Sequence, residues 1–183
     1  MRRRFNRPLR RFSGADIPPL LIHANQSISA GNFVEAAGDF EQLARAAEAR
    51  GGPRAPMIHI QGGRMRMMAG QPDLAMQDLE RGFGLLAARG RLRRLGRVGN
   101  RIIAEFRQRG YSTESQKLAD YLESLSPGSG AVQASAPPAR HASLPTHCSG
   151  CGAPVHPDEV EWLDDVTAEC AFCGSPLRSE RSE

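Results

Sequence analysis

Four cysteines occur in the chain, all near its C-terminus, as Cys148-Ser149-Gly150-Cys151 and Cys170-Ala171-Phe172-Cys173. Eighteen residues separate the two pairs, which is the spacing of a four-thiolate zinc site. Glycine follows each pair (Gly152 and Gly174), where a sharp turn would let backbone N–H groups point at sulfur. A four-sulfur tetrahedron leaves no open coordination position, so its chemistry is structural rather than catalytic. His147 and His156 lie close enough to compete as ligands, although four sulfurs already complete the shell. With no cysteine outside the pairs, a reducing and therefore cytoplasmic compartment is expected; two disulfides are the oxidised alternative.

Elsewhere the sequence is poor in reactive constellations. It holds no Ser/His/Asp set, phosphate loop or paired carboxylates, and Asp164-Asp165 reads as a turn. The expectation is a protein that is not an enzyme and has no small-molecule substrate. His23 and His59 are isolated. The stretch Met57, Met65, Met67, Met68 and Met76 is read as core filler, with an adaptable binding surface as the alternative. Basic residues cluster twice. Arg2, Arg3, Arg4, Arg7, Arg10 and Arg11 interleave with Phe5 and Phe12, a pattern that could clamp phosphates and stack on RNA bases, or lie as a solvated terminus. Residues 85–110 hold eight arginines and one acid, Glu105, with Arg89, Arg93, Arg97 and Arg101 every four residues along one helical flank.

Charge is split along the chain. Residues 1–146 carry 22 Arg and Lys against 12 Asp and Glu, and residues 147–183 carry 2 against 8. A basic body thus precedes an acidic end, which disfavours that end as a nucleic-acid reader. Composition divides the chain into a basic arm (1–14), a helical zone (15–125), a Pro/Ser/Ala linker (126–146), the cysteine module (147–177) and a tail (178–183). As a flexible coil the linker would span roughly 25 Å, making the cysteine module a tethered unit that could fold back on the basic body through charge. No segment reaches the roughly 20 apolar residues of a membrane-spanning helix.

The helical zone repeats. Ala30-Gly31-Asn32-Phe33 through Phe40, Ala69-Gly70-Gln71-Pro72 through Leu79, and Arg109-Gly110-Tyr111 through Ala119 align with glycines 39 to 40 residues apart. In each copy a small residue follows the glycine by five positions (Ala36, Ala75, Ser115) and a core residue by nine (Phe40, Leu79, Ala119). Glycine closes one helix and the small residue admits the next. Six helices are expected near 17–30, 33–50, 56–69, 72–89, 91–109 and 113–125, with Asp16 capping the first, Pro18-Pro19 in its first turn, and Pro56 and Pro72 in the first turns of the third and fourth. The Gly-x-Phe/Tyr-x-x-Ala pattern resembles the tetratricopeptide (TPR) repeat family over about 110 residues. Its period exceeds the 34 residues of that family, and Gly62-Gly63 fits the small residue at its inter-helix contact. The resemblance implies three helical hairpins around a peptide groove, with Asn25, Arg64, Arg97, Asn100 and Arg101 facing it and suited to an acidic or C-terminal carboxylate ligand. Three short repeats expose apolar ends, so self-association is credible.

Between the cysteine pairs, Val160 and Trp162 alternate with Glu159 and Glu161 as in a half-exposed strand, and a hairpin would bring the second pair beside the first. Residues 147–177 resemble the zinc ribbon family, with both Cys-x-x-Cys-Gly knuckles intact. That resemblance implies Cys148, Cys151, Cys170 and Cys173 as ligands of one structural Zn2+. Iron in the same cage is the rival, which would make the chain an electron carrier resembling rubredoxin; Ala171 and Ala153 stand where that family has proline and tyrosine.

The fold class expected is therefore mostly α: three TPR-like hairpins, a flexible linker and a small β zinc ribbon. The function expected is a non-enzymatic adaptor that bridges protein partners. An RNA- or ribosome-associated protein anchored by the arginine arm is the alternative.

Overall fold

The structure, a computed structural model, describes residues 17–127, 143–157 and 160–179. The arginine arm and most of the linker lie outside those residues. Six helices occupy the first stretch: α1 (Pro19–Ser29), α2 (Phe33–Ala49), α3 (Ala55–Met68), α4 (Pro72–Ala88), α5 (Leu92–Gln108) and α6 (Ser112–Leu125). Each boundary falls within two residues of the sequence expectation. The largest difference is the start of α1: Pro18 has ψ 129° and stays outside the helix. The ring of Pro19 disfavours helical backbone in the residue before it, so the helix begins at Pro19.

One device ends the first five helices. Gly31, Gly51, Gly70, Gly90 and Gly110 all take positive φ. In each case the next residue's N–H reaches back to a carbonyl five residues earlier: Asn32 to Ser27, Gly52 to Ala47, Gln71 to Arg66, Arg91 to Leu86 and Tyr111 to Phe106. This is the Schellman ending, which satisfies carbonyls the helix leaves unpaired. The spacing is therefore 19 to 20 residues, half the sequence repeat, because Gly51 and Gly90 act as Gly31, Gly70 and Gly110 do.

Each helix packs on the next, and α4 also packs on α6. The heaviest packing surrounds α3, whose residues Ala55 through Gly63, Met65 and Met67 are all buried. Such a helix needs apolar or small residues all round. Its paired glycines serve opposite neighbours: a Cβ on Gly62 would sit 3.4 Å from Phe40 Cβ on α2, and one on Gly63 would sit 2.9 Å from the Ala75 carbonyl on α4. Gly82 on α4 makes the reciprocal approach, 2.8 Å from the Pro56 carbonyl. Of the methionines, Met57, Met65, Met67 and Met76 are buried, as filler should be. In the third copy the expected core position Ala119 is only half-buried; Leu118 and Leu122 fill the core instead, one of them against Gly99 of α5.

The C-terminal stretch forms a three-stranded antiparallel sheet in the order β1 (Glu161–Trp162), β2 (Thr167–Glu169), β3 (Pro176–Arg178). Trp162 pairs with Ala168, and Ala168 with Leu177. The β1–β2 turn is built on Asp164, whose Oδ1 accepts the Val166 N–H at 2.9 Å. β3 was not anticipated; it carries the chain through Arg178, one residue past the expected module boundary. Among the described residues no helix is long and apolar enough to cross a membrane.

Candidate metal centre

The two cysteine knuckles have the same backbone. Cys148 N–H donates to Ala153 O and Gly152 N–H to Cys148 O, each at 2.9 Å; Cys170 N–H donates to Ser175 O at 2.9 Å and Gly174 N–H to Cys170 O at 3.0 Å. Gly152 (φ 75°) and Gly174 (φ 77°) stand where L side chains are strained, which explains the glycine after each pair. The glycine N–H closes its turn on a carbonyl, not on sulfur as the sequence suggested. The N–H that reaches a sulfur belongs to Ser175, 3.4 Å from Cys173 Sγ.

β1 and β2 form the hairpin between the knuckles and bring the four sulfurs together. All four Sγ atoms lie within 4.8 Å of one another. Cys148 and Cys173 are 3.6 Å apart, and Cys151 and Cys170 3.9 Å. A tetrahedron of Zn–S bonds of about 2.3 Å places its sulfurs about 3.8 Å apart. The cysteines are unbonded thiols, so the disulfide alternative is not what the structure holds. Each is at most 8% exposed. The donor set fits one soft or borderline cation.

Four thiols this close cannot all ionise without a cation between them. Hydrogen bonding from the Cys151 thiol pulls Cys148 down to about 6, and hydrogen bonding from Cys148 pulls Cys173 down. The same bonds to Cys148 push Cys151 and Cys170 up. A bound divalent ion would remove that conflict and hold all four as thiolates. His147 is exposed and His156 half-buried, and neither belongs to the sulfur group.

The cage is not a separate module. One continuous apolar cluster contains the four cysteines together with Leu21, Ala24, Phe40, Leu43 and Ile58 of α1, α2 and α3, and Val160, Ala168, Phe172 and Leu177 of the ribbon. Ile17 seats against Gly150, where a Cβ would come within 2.8 Å of its Cδ1. Two polar contacts lock the seam. Buried Asn25 donates its amide to Leu21 O at 2.8 Å and to Cys151 O at 2.9 Å. Arg54, at the N-terminal edge of α3, donates to Glu169 at 2.9 Å and lays its guanidinium across Gly174, so that a side chain there would have to displace it. The expected weak, charge-driven docking thus gives way to a buried apolar seam that also carries the Arg54–Glu169 ion pair, because the knuckles themselves supply apolar surface.

Of the residues expected to face a peptide groove, Arg97, Asn100 and Arg101 lie on α5. Asn25 lies under the first knuckle. Arg64 pairs with Glu105 at 2.8 Å and with Gln61 at 3.1 Å. Arg97 is exposed, and Asn100 and Arg101 are half-buried. Arg2, Arg3, Arg4, Arg7, Arg10 and Arg11 lie outside the described residues. Two features were missed in sequence. Arg54 and Asn25 clamp the ribbon from 115 and 126 residues away, and no local pattern marks such a pair. His59 is not isolated: it bonds Glu48 at 2.9 Å, within a set of charges in which Arg66 holds Asp78 at 2.9 Å and also Glu41, and Arg81 holds Glu48. Those partners come from three helices, with only their meeting in space to reveal them.

No match was found to a protein-family model, to a curated protein or to a solved structure.

Proposed function

We propose that the chain is a non-enzymatic protein–protein adaptor whose C-terminal ribbon is held by one structural Zn2+ on Cys148, Cys151, Cys170 and Cys173. The observation that carries this reading is the closed, buried four-sulfur cage. It offers a cation four sulfur ligands and no open coordination position, so its contribution is shape. Zinc is favoured over iron by the place of Ala171. It packs against both apolar clusters of the molecule, so the second knuckle is shaped for docking rather than for an exposed electron-transfer edge.

The helices are read as three TPR-like hairpins, α1–α2, α3–α4 and α5–α6, supported by the repeated glycine ending and by the buried small residues Ala36, Ala75 and Ser115 after each turn. The face available to a partner on this reading is on α5, around Arg97, Asn100 and Arg101. Its chemistry suits an acidic or C-terminal carboxylate peptide. Two measurements test the proposal together. Elemental analysis of protein purified without added metal should return one zinc per chain and no iron. Affinity capture should recover a protein partner that survives nuclease treatment and is lost in Arg97→Glu. A metal-free protein, a visible iron–thiolate absorption band, or a partner released by nuclease would contradict it.

A further inference from the structure

Beside the seam, α1 and the first knuckle enclose a groove of about 570 Å³. Ile22, Asn25, Gln26, Ser29 and Ala30 line it from α1, and Cys148 to Gly152 line it from the ribbon. The α1 residues recur every three or four positions, so they form one stripe of the helix. From Ile22 to Ala30 that stripe runs about 12 Å. Among the described residues no charged side chain and no aromatic ring lines the groove. Its polar side chains are the amides of Asn25 and Gln26 and the hydroxyls of Ser29 and Ser149. Asn25 has one half of its amide unmatched. It is 4% exposed, and its Nδ2 donates to Leu21 O at 2.8 Å and to Cys151 O at 2.9 Å. Both partners are carbonyls, so the NH2 end must face them and the amide cannot be turned round. Oδ1 is left buried with no hydrogen-bond partner. A buried acceptor without a donor costs stability, and an N–H from the groove is what this one lacks.

We propose that this groove binds a short, uncharged stretch of extended polypeptide, with one main-chain N–H of the ligand donating to Asn25 Oδ1. The lining selects that class. An uncharged wall offers nothing to a phosphate or a carboxylate, which arginine and lysine recognise. Without an aromatic ring it gives a nucleobase no platform. Amides and hydroxyls can donate and accept, and so match the N–H and C=O groups of a peptide backbone. An extended chain rising about 3.3 Å per residue places three or four residues along the stripe. Ile22, 37% exposed at one end, gives an apolar side chain of that segment a surface to cover. On the opposite wall Gly150 and Gly152 carry no side chain, which lets a backbone approach closely. The site is separate from the α5 face and stands whether or not that face binds an acidic partner.

The test pans a display library of randomised heptapeptides against the full-length chain, then titrates the enriched sequence as an N-acetylated, C-amidated peptide. Enriched sequences should share three or four consecutive positions free of Asp, Glu, Lys and Arg. Methylating the main-chain nitrogens of the peptide one at a time should reveal a position where affinity falls about tenfold or more, the loss expected when a buried acceptor is left without its donor. Gln26→Trp and Ser149→Trp fill the groove from exposed positions on its two walls, and each should weaken binding at least as much. Lys117→Trp, exposed on α6, should leave it unchanged. Asn25 itself is kept, because it also holds the knuckle. The proposal is overturned if no sequence is enriched, if the enriched sequences are acidic, or if every methylated peptide binds like its parent. It is equally overturned if both groove variants bind as tightly as the unaltered chain, or if Lys117→Trp costs as much as they do.

Discussion

The helical body and the ribbon solve the same problem, a buried core, with opposite means. The body has side chains to spare: Phe83, Leu79, Leu95, Ile102 and Phe106 are each at most 1% exposed, in a cluster drawn almost wholly from α3 to α6. Among the described residues the ribbon buries only Ala153, Val160, Ala168, Phe172 and Leu177 beside its four sulfurs. A module of about 30 residues cannot bury enough surface to fold on apolar contacts alone. It borrows from the faces of α1, α2 and α3, and its four sulfurs could hold a cation as well. Both regions use glycine at positive φ to turn the chain, but helix hydrogen bonds surround it in one and a cysteine knuckle in the other.

That contrast can be broken most severely at the metal. On the proposed zinc reading, Cys170→Ser removes one ligand from a site whose binding energy is folding energy, on the order of 10 kcal/mol for structural zinc. The ribbon should lose its sheet and the environment of Trp162, while far-UV circular dichroism keeps most of its helical signal. Complete loss of helix would mean that the body depends on the ribbon, and an unchanged Trp162 signal would mean that the cage is dispensable. In the other direction, Phe83→Ala should destabilise the body by about 3–5 kcal/mol in denaturant unfolding. Metal content in the native state should not change, since Phe83 is in the cluster that does not contain the sulfurs.

Asn25→Ala tests the seam between the two regions. It deletes a buried donor to Cys151 O and leaves that carbonyl short of a partner, for a cost of about 1–3 kcal/mol. Zinc should also dissociate faster from the variant. Equal dissociation rates would show that α1 plays no part in holding the knuckle. The smallest effect lies at the surface. His23, exposed on α1, has its affinity for a proton raised, first by the hydrogen bond to Asp39 and then by that carboxylate's charge. A raised folded value contributes stability that is complete below the unfolded value near 6.5 and is lost as pH rises through the folded one. NMR titration should place His23 above 6.5, and Asp39→Asn should bring it back.

Most of the helical architecture was legible because it is written locally. Glycine endings, prolines at first turns and apolar spacing lie within a few residues of the elements they define, and Ala36, Ala75 and Ser115 landed in the core as read. Register in the third copy was misread because Leu118 and Ala119 are adjacent, and only the close approach of Gly99 to Leu122 decides which faces inward. The sulfur site was legible from spacing alone. What surrounds it was not: Asn25 and Arg54 make contacts across more than a hundred residues, and the Pro/Ser/Ala stretch between suggested separation. A linker's composition reports how the chain travels, not where its far end comes to rest. The short strand β3 went unseen because Pro176-Leu177-Arg178 has too few residues for any alternation to register.

Hydrogen–deuterium exchange before and after metal chelation tests most directly whether the sulfur cage and the first helices are one structure. Removing the ion should expose the amides of the ribbon and of α1 together, because Leu21, Ala24 and Asn25 lose their cover, while α4 to α6 stay protected. Should α1 keep its protection while the ribbon opens, the two are separate bodies and this account of the molecule is wrong.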